Sequence, residues 1–331
     1  MAVVQRKNRA TKPFVANSKV IFTVPLGGKI RMGKVVLQGS IVVSAGSTNG
    51  TAVGQAGPAN LAKRIIVTAT PAANSRYPGG KIVDCNPRSL LQYGIFQHNG
   101  KIVIEQAASV LGSGAAGTYT IYMSYPIYFA DATLRNSYST CLNTDPGTYA
   151  SLQVEVDTGD LKSCFSGNDR TVDFSGLTVQ WVDDRIAFDG DTLVRYQEDH
   201  VALIAATQER MLDEAMPQDG NFESWLLMGE ASAQQNLSDS LLQRVTVEGP
   251  TIGFDQYAQD IRQQMLDDEW IDPSQTATGL WFIDWTDTTI GNTVPAGGLQ
   301  SKFKVTNVSG ANLDDLLVYT RRVFSPAPAG Q

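Results

Sequence analysis

Residues 118–129, TYTIYMSYPIYF, decide the fold class of this chain. Large apolar and aromatic residues occupy every second position of the stretch: Tyr119, Ile121, Met123, Tyr125, Ile127 and Phe129. Side chains alternate between the two faces of a β-strand, so this period of two predicts a strand with one buried face.

Strand signals of the same kind recur along the chain. The alternating segments are LQVEV (152–156), LTVQWV (177–182) and GLWFIDW (279–285). Runs rich in β-branched residues are KVIFTV (19–24), KVVLQGSIVV (34–43), RIIVTAT (64–70) and KIVIEQ (101–106). β-Branched residues fit a pleated surface, and Gly/Ser/Ala/Asn-rich loops separate the runs. This organisation predicts an all-β sandwich or barrel.

Helical signals are few. The segment NPRSLLQYGIF (86–96) has Asn86 as a candidate N-cap and Pro87 at the first helical position. Residues 254–270 place five apolar residues at helical spacing: Phe254, Tyr257, Ile261, Met265 and Trp270. A third segment, HVALIAATQERMLDEAM (200–216), reads as a strand that passes into a helix.

The composition is that of a globular protein of about two domains, with 331 residues, 42% hydrophobic and 18% charged. The first 13 residues are basic and no apolar segment follows them, so we expect no signal peptide. No stretch approaches the roughly 20 apolar residues of a membrane-spanning helix. Three widely spaced cysteines without a C-x-x-C pair predict reduced thiols and neither a disulfide scaffold nor structural zinc.

The net charge of −7 hides a strong asymmetry. Residues 1–83 contain twelve Lys or Arg and no acidic residue, and Asp84 is the first acid. The other 248 residues hold 14 basic and 33 acidic groups, a balance of −19. Such a split favours attraction of one end to an anionic surface, or head-to-tail contacts between copies.

The tripeptide Asp157-Thr158-Gly159 matches the catalytic motif of pepsin-like aspartic proteases. Those enzymes need two carboxylates that share a proton, one from each lobe. The sequence contains no second Asp-Thr-Gly or Asp-Ser-Gly, and Asp160 stands where Ser or Thr is usual. Asp-Thr-Gly-Asp is also good turn chemistry, so we predict a strand-ending turn here.

No other catalytic, cofactor-binding or metal-binding site is predicted. His98 and His200 are the only histidines, and neither belongs to a recognisable catalytic or zinc motif. The acidic clusters at 183–191 and 267–269 offer oxygens of the kind that calcium prefers, but neither matches an EF-hand loop. We interpret both clusters as solvated charges.

The basic N-terminal segment is the one candidate interaction element. It carries Arg6, Lys7, Arg9 and Lys12, with Phe14 close behind. We predict an arm that faces a membrane or a genome, because clustered cations bind anionic layers with a salt-sensitive affinity. Two other interpretations stay open at this point: an arm that clamps a neighbouring subunit, and a disordered tail.

The organisation occurs twice along the chain. Two strand-rich halves are joined at SYPIYFADATLRNSYSTCL (124–142). The second half opens with YASLQVEVDTGDL (149–161) and closes with the segment 279–324, GLWFIDWTDTTIGNTVPAGGLQSKFKVTNVSGANLDDLLVYTRRVF. This pattern resembles the double jelly-roll major capsid proteins of tailless, internal-membrane phages of the tectivirus, corticovirus and finnlakevirus type.

The resemblance implies an all-β fold of two consecutive eight-stranded jelly-roll barrels with a few short helices in the connections. It divides the chain into an N-terminal arm (1–17), a first jelly roll (18–134), a second jelly roll (135–325) and a C-terminal tail (326–331). A long insertion near 205–250 departs from a minimal jelly roll, and we expect it to form a tower or an inter-subunit loop.

The resemblance also implies a structural role and no enzymatic activity. The chain would form homotrimeric, pseudo-hexagonal capsomers of an icosahedral virion that encloses a membrane, after assembly in the host cytoplasm. Its partners would be copies of itself, penton and minor capsid proteins, and the internal membrane through the arm, with no cofactor and no small-molecule substrate. The alternative is a carbohydrate-binding or receptor-binding β-sandwich, because jelly rolls serve both roles.

Overall fold

A computed structural model describes residues 5–46, 51–52, 57–97, 116–130, 138–167, 169–187, 190–204, 210–231, 236–268, 278–288, 293–306 and 314–327. The chain forms two compact units. Unit 1 comprises residues 1–97, 102–196 and 324–331, and unit 2 comprises residues 98–101 and 197–323. The boundary between Tyr196 and Gln197 falls inside one strand, β13 (Val194–Ile204).

Unit 1 is built from twelve described strands that precede β13. They are β1 (Gln5–Pro13), β2 (Lys19–Thr23), β3 (Lys29–Val43), β4 (Thr51–Ala52), β5 (Ala62–Pro71), β6 (Gly80–Cys85), β7 (Gly117–Tyr128), β8 (Leu142–Asn143), β9 (Tyr149–Thr158), β10 (Phe165–Ser166), β11 (Val172–Asp173) and β12 (Leu177–Ile186). Its helices are α1 (Pro87–Gln97) and α2 (Leu161–Cys164), with 3-10 turns at Gly57–Leu61 and Tyr138–Thr140.

Strand β3 is a central strand of the first sheet of unit 1. Its 15 residues pair antiparallel with β7 along one edge and with β12 along the other. The order is β1-β12-β3-β11, with β7 and β8 also on β3. A second run of strands in unit 1 has the order β6-β5-β9-β2, and β4 pairs with β10.

The alternation of the sequence explains how unit 1 buries its core. In β7 the side chains of Ile121, Met123, Tyr125 and Ile127 are buried, and the residues between them are less so; Tyr128, at the end of the strand, is buried as well. The Tyr125 hydroxyl donates to the Ala59 carbonyl at 2.9 Å, which satisfies the one polar atom of that buried ring. Strands β9 and β12 bury alternate residues in the same way, as predicted.

Unit 2 contains the remaining strands. They are β14 (Arg210–Glu214), β15 (Asn221–Ala231), β16 (Asn236–Leu237), β17 (Leu242–Glu248), β18 (Gly253–Tyr257), β19 (Leu280–Asp284), β20 (Val294–Pro295), β21 (Gln300–Val305) and β22 (Asp314–Phe324). One sheet has the order β16-β15-β22, with β19 and β20 also on β15, and the other has the order β14-β21-β17-β18. The helices are α3 (Ala258–Asp267) and α4 (Trp285–Thr288).

An aromatic cluster forms the core of unit 2. Trp225 packs edge-to-face against Trp285 with ring centroids 5.0 Å apart, and against Phe222 at 5.2 Å. Phe254 packs on the other side of Trp285 at 5.1 Å. Edge-to-face rings gain electrostatic attraction in addition to the burial of apolar area, so this cluster ties β15, β18 and α4 together.

Two of the three predicted helices are present. Helix α1 begins at Pro87, and the Asn86 side chain accepts a hydrogen bond from the Arg88 amide, as an N-cap does. Helix α3 buries Ile261 and Met265 as predicted. Tyr257, predicted to lie in this helix, is instead the last residue of β18, and it is 58% exposed. Trp270 lies outside the described residues.

The third predicted helix, in the segment read as a strand passing into a helix, is absent from the described residues of that segment, although the strand is present. The described part of the segment 200–216 consists of the end of β13 and the strand β14, which pairs with β21. Arg210–Glu214 is too short to show a period, and pairing with a distant strand overrides its helical propensity.

The division into units differs from the predicted boundary at 134/135. The strands expected to open the second jelly roll, β9 and β12, pair with β2, β5, β1 and β3 of unit 1. Cys141 and Leu142, at the end of the predicted junction 124–142, are buried in unit 1. Local patterns identified the strands correctly, but they do not carry the pairing partners that set the boundary.

The region 205–250 is not an insertion on the surface of a jelly roll. Its described residues include β15, the strand of unit 2 that pairs with β16, β19, β20 and β22. Trp225, Leu226 and Leu227 of this strand are fully buried. The predicted tower is therefore corrected to a core element.

A substitution at Gly33 tests the packing of β12 on β3. A Cβ atom at Gly33 would lie 2.1 Å from Cη2 of Trp181, which is itself buried. We expect Gly33→Ala to lower the free energy of unfolding by about 1–3 kcal/mol through overpacking. Urea denaturation should show a lower midpoint with an unchanged slope.

The matched control is Gly253→Ala. Gly253 also lies in a strand, but a Cβ there meets no atom within 4 Å. This variant should stay within about 0.5 kcal/mol of the parent protein. Equal stability losses in the two variants would contradict the packing described for Trp181.

Candidate functional site

The predicted N-terminal arm is largely a β-strand. From Gln5 to Pro13 the chain forms β1, which pairs antiparallel with β12 from Arg185 to Thr178. This corrects the prediction of a separate arm over residues 1–17. The outer edge of β12 offers a row of amide and carbonyl groups, and β1 satisfies them. Residues 1–4 lie outside the described part of the chain.

The strand brings the predicted basic residues onto the end of a sheet. The register sets Arg6 opposite Asp184 and Lys7 opposite Asp183, and the register shifts between Asn8 and Ala10, on either side of Arg9. The side chains of these three basic residues lie outside what the structure describes. Lys12 is exposed, with its Nζ 5.9 Å from the centroid of the Phe22 ring.

A buried ionic network lies on β12, the strand that pairs with β1. The Asp183 carboxylate accepts hydrogen bonds from Nε of Arg185 at 2.9 Å and from Nε1 of Trp181 at 3.2 Å. The Arg185 guanidinium also donates to the carbonyls of Pro25 at 2.7 Å and of Gly27. The Asp183 side chain has no exposed surface, and Arg185 balances its charge inside the protein. Arg185 in turn anchors the Pro25–Gly27 loop.

The Asp157-Thr158-Gly159-Asp160 segment ends a strand, as predicted. The Thr158 hydroxyl donates to the carbonyl of Ser18 at 2.9 Å, and the Gly159 amide donates to the carbonyl of Leu61 at 2.8 Å. Asp160 then caps α2 by accepting from the Ser163 amide at 2.9 Å. A Cβ atom on Gly159 would lie 2.2 Å from the Asn60 carbonyl oxygen, so glycine serves close packing here.

His200 lies beside charged groups of unit 2. Its Nε2 is 3.4 Å from the Thr320 hydroxyl and 3.9 Å from a Glu198 oxygen, and Glu198 pairs with Arg322 at 2.5 Å. Burial, and then the positive charge of Arg322, lower the pKa of His200 to about 4. The imidazole is therefore neutral at neutral pH. His98 lies outside the described residues.

The acidic clusters are largely occupied by internal partners. Asp191 accepts from Arg76 at 2.8 Å and 2.9 Å and from the Tyr77 hydroxyl at 3.1 Å, and these bonds lower its pKa. Asp267 accepts from the Gln263 amide at 2.8 Å. Within the described ranges, no group of three or more His, Cys, Asp or Glu side chains is placed to hold a metal ion. Asp189 and Glu269 lie outside those ranges.

All three cysteines are buried thiols. Burial raises the pKa of Cys141 to about 12 and raises that of Cys164 further. A thiol with a raised pKa is a poor nucleophile and a poor metal ligand, so these side chains pack as small apolar groups.

The sequence analysis missed a groove in unit 2 beside α3. It has a volume of about 670 Å³ and is lined by Gln259, Arg262, Gln263 and Leu266 of the helix, together with Tyr257 and Trp281. The spacing i, i+3, i+4, i+7 of the four helix residues was the signal available in the sequence, since it places them on one face.

Comparisons with solved structures reveal the architecture. The chain superposes on the STIV MCP, from Sulfolobus Turreted Icosahedral Virus, with a TM-score of 0.73 and 10% identity, over 99% of this chain and 100% of that one. The fold is a double jelly roll. The predicted fold class, all-β with two jelly rolls and few short helices, is thereby confirmed.

Two further structures share this double jelly roll. The major capsid protein of bacteriophage PM2 matches with a TM-score of 0.59 and 10% identity, over 98% of both chains. The Faustovirus major capsid protein matches with a TM-score of 0.58 and 10% identity, over 99% of this chain and 91% of that one. No protein-family model and no curated protein matches the sequence. Among the described residues, no helix has the length and apolar character to cross a bilayer.

The low pKa of His200 predicts that the free energy of unfolding decreases in acid. Its folded-state pKa of about 4 lies below the unfolded value of about 6.5, so between these pH values the unfolded chain binds a proton that the folded chain does not. The stability contribution is fully present above pH ~6.5 and is lost as the pH falls toward ~4. We expect His200→Gln to lessen the loss of unfolding free energy between pH 7 and pH 4.5 by about 1–3 kcal/mol.

The measurement is a series of urea titrations of both proteins across this pH range. As the pH falls, the free energy of unfolding of the His200→Gln variant should increase relative to that of the parent protein. Parallel stability profiles would contradict the assigned environment of His200.

Proposed function

We propose that this chain is a major capsid protein, a structural and non-catalytic subunit of an icosahedral virus shell that assembles as a homotrimer. The observation that carries the proposal is the end-to-end match, over 99% of this chain and 100% of the other, with a viral capsid subunit. Fold alone does not fix function, so the proposal needs its own physical support.

The two units supply that support through their charges. Unit 1 has 18 basic and 13 acidic residues, a net charge of +5, whereas unit 2 has 8 basic and 20 acidic residues, a net charge of −12. Opposite charges on two parts of one chain favour contacts of unit 1 in one copy with unit 2 in the next. A head-to-tail contact of this kind closes into a ring when its rotation fits, and three copies would give six similarly folded lobes.

A finer proposal concerns the membrane. We infer a virion of the tailless, internal-membrane phage type, in which the basic strand β1 faces the internal membrane through Arg6, Lys7, Arg9 and Lys12. Four basic residues within seven positions match the negative potential of an anionic bilayer. A genome-facing strand would use the same charges, because phosphates attract them equally well.

The proposed capsid shell also implies the remaining partners. Penton and minor capsid proteins would meet this chain at the vertices and between capsomers. Assembly in the host cytoplasm agrees with three buried cysteines in the reduced form. A carbohydrate-binding or receptor-binding β-sandwich as the chain's main role is the less favoured candidate, because the structures matched over nearly their full length are subunits of viruses.

Light scattering tests the proposed trimer. Three chains of 35.7 kDa give a particle of 107.1 kDa, and we expect that mass at micromolar concentration. Raising the ionic strength from about 0.1 M to about 1 M shortens the Debye length from about 10 Å to about 3 Å. The trimer dissociation constant should therefore rise by about tenfold or more. A strict monomer at about 100 μM would contradict the proposal.

A vesicle-binding experiment tests the role of β1. We expect the fourfold variant Arg6→Gln, Lys7→Gln, Arg9→Gln, Lys12→Gln to lose most of its affinity for phosphatidylserine-containing vesicles, since each basic residue contributes about 1 kcal/mol at such a surface. Substitution preserves the strand, which a deletion would not, because β1 pairs along β12.

The matched control changes the net charge by the same amount elsewhere in unit 1. It replaces four other exposed lysines with glutamine: Lys19, Lys63, Lys81 and Lys162. Co-sedimentation with vesicles should show that this control binds more tightly than the β1 variant. Equal losses would mean that only net charge matters, and β1 would then have no specific membrane role.

A further inference from the structure

The groove beside α3 has a ligand-sized volume of about 670 Å³. All of its lining residues lie in unit 2. Helix α3 buries Ala258, Ile261 and Met265 on one face and turns its other face toward the groove. The lining combines aromatic rings with amide, hydroxyl and carboxylate groups, so it is not the apolar surface of a missing core element.

The floor of the groove is held in place by an internal stack. The Arg262 guanidinium lies over the Trp281 ring at 5.2 Å, and its Nη2 pairs with Oδ1 of Asp239 at 2.7 Å. The same Oδ1 accepts from the Gly279 amide at 2.5 Å. A cation stacked on an indole and paired with a carboxylate gives a fixed polar surface before any ligand arrives.

One wall of the groove is an exposed tyrosine ring with one face covered by an arginine. The Tyr257 side chain is among the most exposed large apolar groups, at 58%. The Arg244 guanidinium lies 5.5 Å from its ring centroid, and Arg244 is in turn paired through Nε with Asp255 at 2.6 Å. With one ring face covered by Arg244, the opposite face is the one that a ligand in the groove can contact.

The polar groups of the groove include several hydrogen-bond acceptors. The amide nitrogens of Gln243 and Gln263 donate to Thr306 at 2.6 Å and to Asp267 at 2.8 Å. Each of these amides keeps its Oε1 as an acceptor and has one further N–H as a donor. Gly279 and Arg262 both contact Oδ1 of Asp239, so its Oδ2 is a third acceptor.

We propose that this groove binds a neutral carbohydrate, with a pyranose ring stacked on the free face of Tyr257 and its hydroxyls donating to the acceptors on Gln243, Gln263 and Asp239. The axial C–H groups of a pyranose are weakly positive and suit the negative face of an aromatic ring. Several hydroxyl donors on one rigid ring match several fixed acceptors. The entropic cost of immobilising the ligand therefore arises once for all of these hydrogen bonds.

The charge of the surroundings selects against anionic glycans. Unit 2 has a net charge of −12, and Arg262 is already paired with Asp239. A sialic acid carboxylate or a phosphate would meet acceptors and negative potential in this groove. The ligand is therefore a hydroxyl-rich, uncharged sugar, such as one displayed on a cell surface, and the site is separate from the charged contacts proposed for assembly.

The test is a neutral-glycan array, followed by titration calorimetry of the full chain with maltotriose, cellotriose and N-acetyllactosamine. We expect at least one neutral glycan to bind saturably, with a dissociation constant on the order of 1 mM or lower. Tyr257→Ala should weaken that binding by about tenfold or more, whereas Tyr257→Phe should retain it, because the ring face is unchanged. 3′-Sialyllactose and choline serve as the anionic and cationic probes.

Two control pairs separate binding from folding. Tyr122→Ala removes a comparably exposed tyrosine, 44% exposed on β7 of unit 1, and should leave glycan binding unchanged. Gln263→Ala should weaken binding about threefold or more, whereas Gln264→Ala, one position along the same helix and outside this groove, should not. Thermal melting of each variant shows that the fold is retained.

Three results would overturn the proposal: no neutral glycan binds, Tyr257→Ala binds as well as the parent protein, or the sialylated or choline probe binds more tightly than every neutral glycan. Light scattering on the same samples keeps the two proposals apart. A trimer that binds no glycan would refute only the groove, and a monomer that binds glycan would refute only the capsomer.

Discussion

The pairing of β3 along both edges is the constraint on which the rest of unit 1 depends. Strand β7 covers one edge and β12 the other, so the backbone amides and carbonyls of a 15-residue strand are satisfied by segments roughly 90 and 150 residues away along the chain. Gly33 makes room for Trp181 across this pairing, and the Asp183–Arg185 pair then anchors the Pro25–Gly27 loop. Strand β1 completes the sheet on the outer edge of β12.

Local structure could be predicted from sequence where the local signal was strong. The alternation in β7, β9 and β12 and the Asn86-Pro87 start of α1 were all correct, because each depends on neighbouring residues. The domain boundary, the position of β15 and the fate of the N-terminal arm could not be predicted. Each depends on a pairing between distant strands, and a strand carries no local mark of its partner.

The candidate sites also divide into those that a local sequence signal could predict and those that it could not. The Asp157–Asp160 turn could be predicted because its turn chemistry is local, as in the bond that Asp160 accepts from the Ser163 amide. The bond from Thr158 to Ser18 joins residues far apart in the chain and could not be predicted. Tyr257 was assigned to a helix, yet it ends a strand and stacks with Arg244, which is itself paired with Asp255. The charge split could be read directly from the sequence, and the structure assigns it to the units as +5 and −12.

The central claim is that a chain of two jelly rolls with opposite charges exists to meet copies of itself. Electron-microscope images of the purified protein at low ionic strength test it most directly. Class averages should show three-fold particles with six lobes and a pseudo-hexagonal outline, and nothing smaller in quantity. A uniform population of single two-lobed particles would contradict the account.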